Sequence, residues 1–287
     1  MAEQLRIVTD STADLPEEIR KAHGIEVVPL NVHFGEEVLK DGVEIWPEEF
    51  YHRLKSEGTL ANTSQPSPAE FVKVYERLAG EADHIFSIHI SEKMSGTVSS
   101  AQLAAEMVQG KIGVTVIDSE LVCMALGFVV LAAARAVMAG GGREEVLSAV
   151  ERTRREMRVF FTVETLAYLN RTGRIGKASA LLGSLLNIKP ILSLAEGLIV
   201  PVEKFRGTSA KANLRLLELL GESMGGRPCS VALVHADVPG EAGRLKSLLP
   251  QYVRIEEFFL SMIGPIVGAH AGPGTIGVMA VPMPQCG

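Results

Sequence analysis

His84-Ile85-Phe86-Ser87-Ile88-His89-Ile90-Ser91-Glu92-Lys93-Met94-Ser95-Gly96-Thr97 is the stretch whose reading decides the fold of this chain. A short apolar run breaks into a polar segment with one glycine, and a small-residue helical pattern follows. This reads as strand, turn, helix. The hydroxyls of Ser95 and Thr97 fall where a helix N-terminus leaves backbone N–H groups unpaired. Two readings fit them, simple helix capping and a place for an anion, because the positive end of a helix attracts negative charge.

Similar units lie on both sides. Residues 5–8 form an apolar strand ending in Thr9-Asp10-Ser11-Thr12, and Asp14-Leu15-Pro16-Glu17-Glu18 opens a helix with early proline and acids. Residues 25–34 read as one strand, Gly35-Glu36-Glu37 as a turn, and residues 38–45 as a short returning strand, a small hairpin inserted near 25–45. Ala61-Asn62-Thr63-Ser64-Gln65-Pro66-Ser67-Pro68 reads as a stiff polar loop before the helix from Ala69 to Leu78. Residues 113–117 form a further strand ending in Asp118-Ser119. Strands alternating with helices imply a mainly parallel sheet, whose ligands collect at the carboxyl ends of the strands.

The second half has a different texture. A strand at 160–163 and a helix at 164–170 precede the basic loop Arg171-Thr172-Gly173-Arg174-Ile175-Gly176-Lys177, then an apolar segment, 178–186. A hairpin turns at Ala195-Glu196-Gly197, the helix 209–224 follows, and strands at 229–235, 254–260 and 275–281 surround the glycine-rich loop 268–275. The fold class expected is α/β: an N-terminal mainly parallel sheet with flanking helices, residues 1–158, plus a smaller C-terminal α+β domain, residues 159–287.

With 287 residues, 47% of them hydrophobic and 22% charged, the chain has enough apolar material for a sizeable core. A formal net charge of -6 argues against nucleic acid as the main partner. Cys123, Cys229 and Cys286 are odd in number and widely spaced, which suits reduced thiols in the cytoplasm. The start lacks the basic region and apolar run of a secretory signal. Residues 121–139 approach the ~20 apolar residues of a membrane span, but Arg135, Gly127 and many alanines favour a buried helix.

Several motifs fail on inspection. Gly272-Pro273-Gly274-Thr275-Ile276-Gly277 matches G-x-G-x-x-G, but no room remains for the helix and acid of a dinucleotide site. The loop ending in Gly176-Lys177 is too short for a phosphate-binding loop, and Lys93 stands where a nucleophile elbow around Ser95 needs glycine. No histidine pair has metal-binding spacing, and His84, His89 and His235 read as strand residues satisfied locally. Neither a metal nor a cofactor is expected. What remains is neutral hydroxyls and a histidine in a glycine-rich loop, a set that suits holding an anion better than breaking a bond. An enzyme using Asp10 and Asp118 as acid or base stays as the alternative, as does a purely structural partner.

Thr9-Asp10-Ser11-Thr12-Ala13-Asp14-Leu15, Thr63-Ser64-Gln65-Pro66-Ser67, Ser95-Gly96-Thr97, Glu164-Thr165-Leu166 with Arg171-Thr172-Gly173-Arg174-Ile175, Lys189-Pro190-Ile191-Leu192 and residues 268–277 follow one another in the order seen in the DegV family, which the whole chain resembles. The resemblance implies a fatty-acid-binding protein with the acyl chain between the two domains. It implies that Thr63 and Ser95 hold the carboxylate, with His270 near the same group. Members that serve as FakB subunits present the acid to a fatty acid kinase, FakA, so the resemblance implies a carrier without an ATP site and no catalytic residues of its own. The basic residues that match the family's kinase-docking positions are Arg171, Arg174 and Arg206.

Overall fold

The computed structural model describes residues 3–58, 60–182 and 188–283. In chain order the first half runs β1 (Leu5–Asp10), α1 (Glu17–Ala22), β2 (Ile25–Val28), β3 (Asn31–Phe34), β4 (Glu37–Lys40), α2 (Pro47–Ser56), β5 (Asn62–Ser64), α3 (Pro68–Leu78), β6 (His84–His89), α4 (Thr97–Met107), β7 (Gly113–Asp118), α5 (Met124–Met138) and α6 (Arg143–Glu156). The second half runs β8 (Arg158–Thr162), α7 (Ala167–Arg171), β9 (Ile188–Ala195), β10 (Leu198–Arg206), α8 (Ser209–Met224), β11 (Cys229–His235), α9 (Pro239–Leu248), β12 (Ile255–Met262), α10 (Pro265–Ala271) and β13 (Ile276–Pro282).

Local chemistry sets many of these boundaries. Pro47 and Pro68 occupy first turns, where a missing N–H costs nothing. Ser67 and Glu70 form a capping box on α3. Thr208 caps α8, which ends on Gly225 in the left-handed conformation.

The protein is α/β. Strands β2-β1-β6-β7 form a four-stranded sheet, parallel throughout. The second half builds a six-stranded sheet in the order β10-β9-β8-β13-β11-β12, in which only β11 and β12 run parallel. A three-stranded antiparallel sheet, β4-β3-β5, comes from the early insertion.

Four expectations need correction. The strand expected over 25–34 is two strands in two sheets: Pro29 lacks a donor, and Leu30 instead donates its N–H to Ser11 Oγ while its carbonyl accepts from Asp41 N. The returning strand stops at Lys40, where Asp41 bridges to Ile45 across a turn. The polar loop 61–68 contains a strand, β5, paired with β3. The glycine-rich loop 268–275 is half helix, since α10 reaches Ala271 and puts His270 in its last turn. The far end of the apolar segment 178–186 lies outside the described residues, as does Cys286.

The apolar stretch from Leu121 becomes α5, shortened at its start because Cys123 holds φ 59, incompatible with continuing the helix backward. Ten of its residues between Met124 and Ala134 are buried. A helix apolar on every side belongs inside a core, and α5 shares one hydrophobic cluster with Ile7, Phe86 and Ile88 of the parallel sheet and Val234, Phe259 and Met279 of the mixed sheet. Among the described residues no helix is long and apolar enough to cross a membrane.

Candidate functional site

Beneath α10, against the mixed sheet, lies a cavity with about 970 Å³ of space between the atoms, open solvent at its mouth included. Its body is apolar: Val159 and Phe161 on β8, Val234 on β11, Met279 on β13, Leu194 and Ile199 on the β9–β10 hairpin. Four of its polar lining residues are Thr63, Ser95, His270 and Arg174. The first three are the residues for which the resemblance implies a place at the carboxylate, and Arg174 is one of those it implies for docking.

Short contacts tie the polar groups together. Thr63, in the middle of β5, places Oγ1 2.8 Å from His270 Nε2 on α10. Two residues on, Gln65 packs against Gly96; a Cβ there would meet Gln65 Nε2 at 2.8 Å. Ser95 precedes α4, and its hydroxyl lies 2.9 Å from the buried Thr97 Oγ1. Arg174 donates through Nε to Met94 O at 3.1 Å, next to Ser95. Arg171 donates to Ala61 O at 3.2 Å and reaches Asn62, bracing β5 from outside the cavity. Arg206 stands apart, exposed at the end of β10 opposite Ile188.

His270 is a neutral partner. Burial first, then the positive charges of Arg174 and Arg171, push its pKa down to about 4. Its Nδ1 is buried without a partner among the described residues. A buried bare nitrogen is tolerated better than a buried orphan N–H, which favours the tautomer with the proton on Nε2. Nε2 then donates to Thr63 Oγ1, leaving the threonine hydroxyl hydrogen free to point at a ligand anion. The site thus offers hydroxyl donors and nearby guanidinium charge.

The two carboxylates of the enzyme alternative sit elsewhere. Asp10 is fully buried; its oxygens accept from Thr12 N (3.0 Å), Thr12 Oγ1 (2.5 Å), His89 Nδ1 (3.0 Å) and Ile90 N (3.0 Å). Asp118 Oδ1 accepts from Glu120 N (2.8 Å) and Glu92 N (3.3 Å). Both brace strand ends, and neither lines the apolar cavity. Asp10 does border a second cavity with Asp14 and Asp41. His84 and His235 also find partners nearby, in Thr115 Oγ1 and Val238 N.

Sequence reasoning missed most of the wall. Val234, Gly277 and Met279 come from strands that carry no polar signal, and only the sheet order brings them beneath Thr63. The motif around Gln65 carries no sign of its role, which comes from its close approach to Gly96.

A family model described as an uncharacterised protein of the DegV family matches residues 4–283. A DegV domain-containing protein of Streptomyces coelicolor is 41% identical over 281 residues, 97% of this chain and 99% of the relative. Two solved structures are similar throughout. A fatty-acid-binding DegV family protein from Thermus thermophilus superposes with a TM-score of 0.91 at 38% identity, covering 98% of this chain and 100% of that one. DegV of Bacillus subtilis, a fatty acid binding protein, gives 0.90 at 39% identity with the same coverage.

Proposed function

Because this chain belongs to the DegV family, we propose that it is a cytoplasmic carrier that buries a long-chain fatty acid and presents the carboxylate to a separate fatty acid kinase. The acyl chain lies in the apolar cavity, between an N-terminal unit, residues 1–158, and a C-terminal unit, residues 159–287. Thr63 and Ser95 donate to the carboxylate, and His270 orients Thr63. Arg174 contributes charge at the mouth, and Arg174, Arg171 and, apart from them, Arg206 are the basic residues offered to the kinase. The carrier has no ATP site and needs no cofactor.

One observation supports this reading: an apolar cavity whose lining includes Thr63, Ser95, His270 and Arg174, with Thr63 on His270 and Arg174 on the Met94 carbonyl beside Ser95. Magnitudes divide the labour. Each buried methylene contributes ~0.8 kcal/mol, so a dozen dominate the affinity. A hydrogen bond to a charged group adds ~1.5 to 3 kcal/mol and fixes orientation.

Native mass spectrometry of the purified protein, followed by solvent extraction, tests the reading. A stoichiometric fatty acid is expected. A protein that is empty and also refuses added palmitate or oleate overturns it, and ATP turnover by the isolated chain favours the enzyme alternative instead.

A further inference from the structure

Ser95 sits on a turn, and a turn is only as well placed as its anchors. One residue supplies several of them. Ser91 is fully buried. Its N–H donates to Leu121 O at 3.0 Å, and its carbonyl accepts from Met94 N (2.9 Å) and Ser95 N (3.1 Å). Its hydroxyl accepts from Lys93 N at 3.2 Å and donates to Gly197 O at 2.9 Å. Every polar atom of Ser91 is engaged, two of them by the turn that presents Ser95.

The bond to Gly197 crosses from the first half of the chain to the β9–β10 hairpin, the element that supplies Leu194 and Ile199 to the cavity wall. Glu196 and Gly197 turn that hairpin with φ 51 and 75. A Cβ on Gly197 would stand 2.5 Å from Ser91 Oγ, so the approach requires glycine twice over, for conformation and for space. Lys93 adds a second strut, Nζ to Glu196 O at 2.7 Å. Upstream, Ile90 N is held by Asp10.

We infer that Ser91 is a positioning residue for the ligand carboxylate: its carbonyl and hydroxyl hold the Ser95 turn against the Glu196–Gly197 tip of the hairpin. Ser91 touches no ligand itself. The inference rests on the carrier reading, and it assigns head-group placement to a contact between the two halves of the chain.

The test uses palmitate labelled with ¹³C at the carboxyl carbon, bound to the full-length protein. Wild type is expected to show one narrow bound resonance, which Ser95→Ala shifts or broadens by removing a direct donor. Ser91→Ala is expected to move the resonance the same way, while retention of the acid falls by less than about tenfold because the methylenes stay buried. A Ser91→Ala protein that melts earlier yet keeps the wild-type resonance has lost only structural support, and that result overturns the inference. Should Ser91→Ala not fold, the exposed Lys93 decides: Lys93→Ala displaces the resonance and Lys93→Arg, which keeps a donor, restores it, or the inference fails. A wild-type protein with no bound resonance at all removes the carrier reading beneath it, an outcome distinct from the others.

Discussion

At the scale of single residues, the sharpest consequences come from buried groups whose proton affinity the fold has changed. Asp41 is 5% exposed, and burial, with Asp10 nearby, raises its pKa to about 7 despite Ser11 and Arg20. Between roughly pH 4 and 7 the folded chain keeps a proton that the unfolded chain has released. Stability from this group is therefore present at low pH and lost as pH rises through 7. Asp41→Asn removes the titration, so its melting temperature relative to wild type should rise between pH 5 and pH 8; a constant difference would sink the assignment. His270 works in the opposite direction. Its pKa of about 4 lies below that of an unfolded histidine, so the unfolded chain binds the extra proton and stability falls as pH drops from about 6.5 towards 4. His270→Gln should flatten the acid side of the stability profile measured by urea unfolding, and an unchanged profile would contradict a buried, neutral imidazole. Thr63, Ser95 and His270 were readable from the sequence as a set only because their motifs occur in order. That Thr63 and His270 touch depends on a separation of 207 residues closing to 2.8 Å.

At the scale of elements, α5 shows how far pattern reaches. Its apolar run announces a buried helix, yet only packing explains why Gly127 stands in its first turn. A Cβ at that position would meet Ala13 O at 2.7 Å and Leu15 at 3.2 Å. Gly127→Ala gains helix propensity of just under about 1 kcal/mol, but the clash is with a backbone carbonyl that cannot swing aside. We expect a net loss of about 1 to 2 kcal/mol in denaturant unfolding, and a stabilised variant would show that the close approach is slack. Strand β5 marks the opposite case. Three polar residues between prolines and a glycine carry no alternating pattern, and they become a strand because β3 offers an open edge. The same pairing aims Thr63 at α10.

At the scale of the whole molecule, a cavity of this size left empty deprives its lining of contacts that a bound acyl chain supplies. Binding that favours the folded state stabilises by about 2.7 kcal/mol at a hundredfold excess over Kd. On the carrier reading, stripping the lipid should therefore lower the melting temperature by roughly 4 to 5 °C in a chain of this length, and adding palmitate back should restore it; equal melting of stripped and reloaded protein would mean that the cavity holds something else. The alternation of strands and helices over residues 84–138, the buried character of α5 and the hydroxyl-rich turn before α4 were determined by the sequence alone, because periodicity, capping and proline placement act over a few residues. The split of residues 25–34 between two sheets, the depth of the cavity beneath α10, the neutral state of His270 and the Ser91–Gly197 contact were decided only by the tertiary structure. Each depends on groups far apart in the chain meeting at hydrogen-bond distance or shutting out water, and no local pattern encodes that meeting.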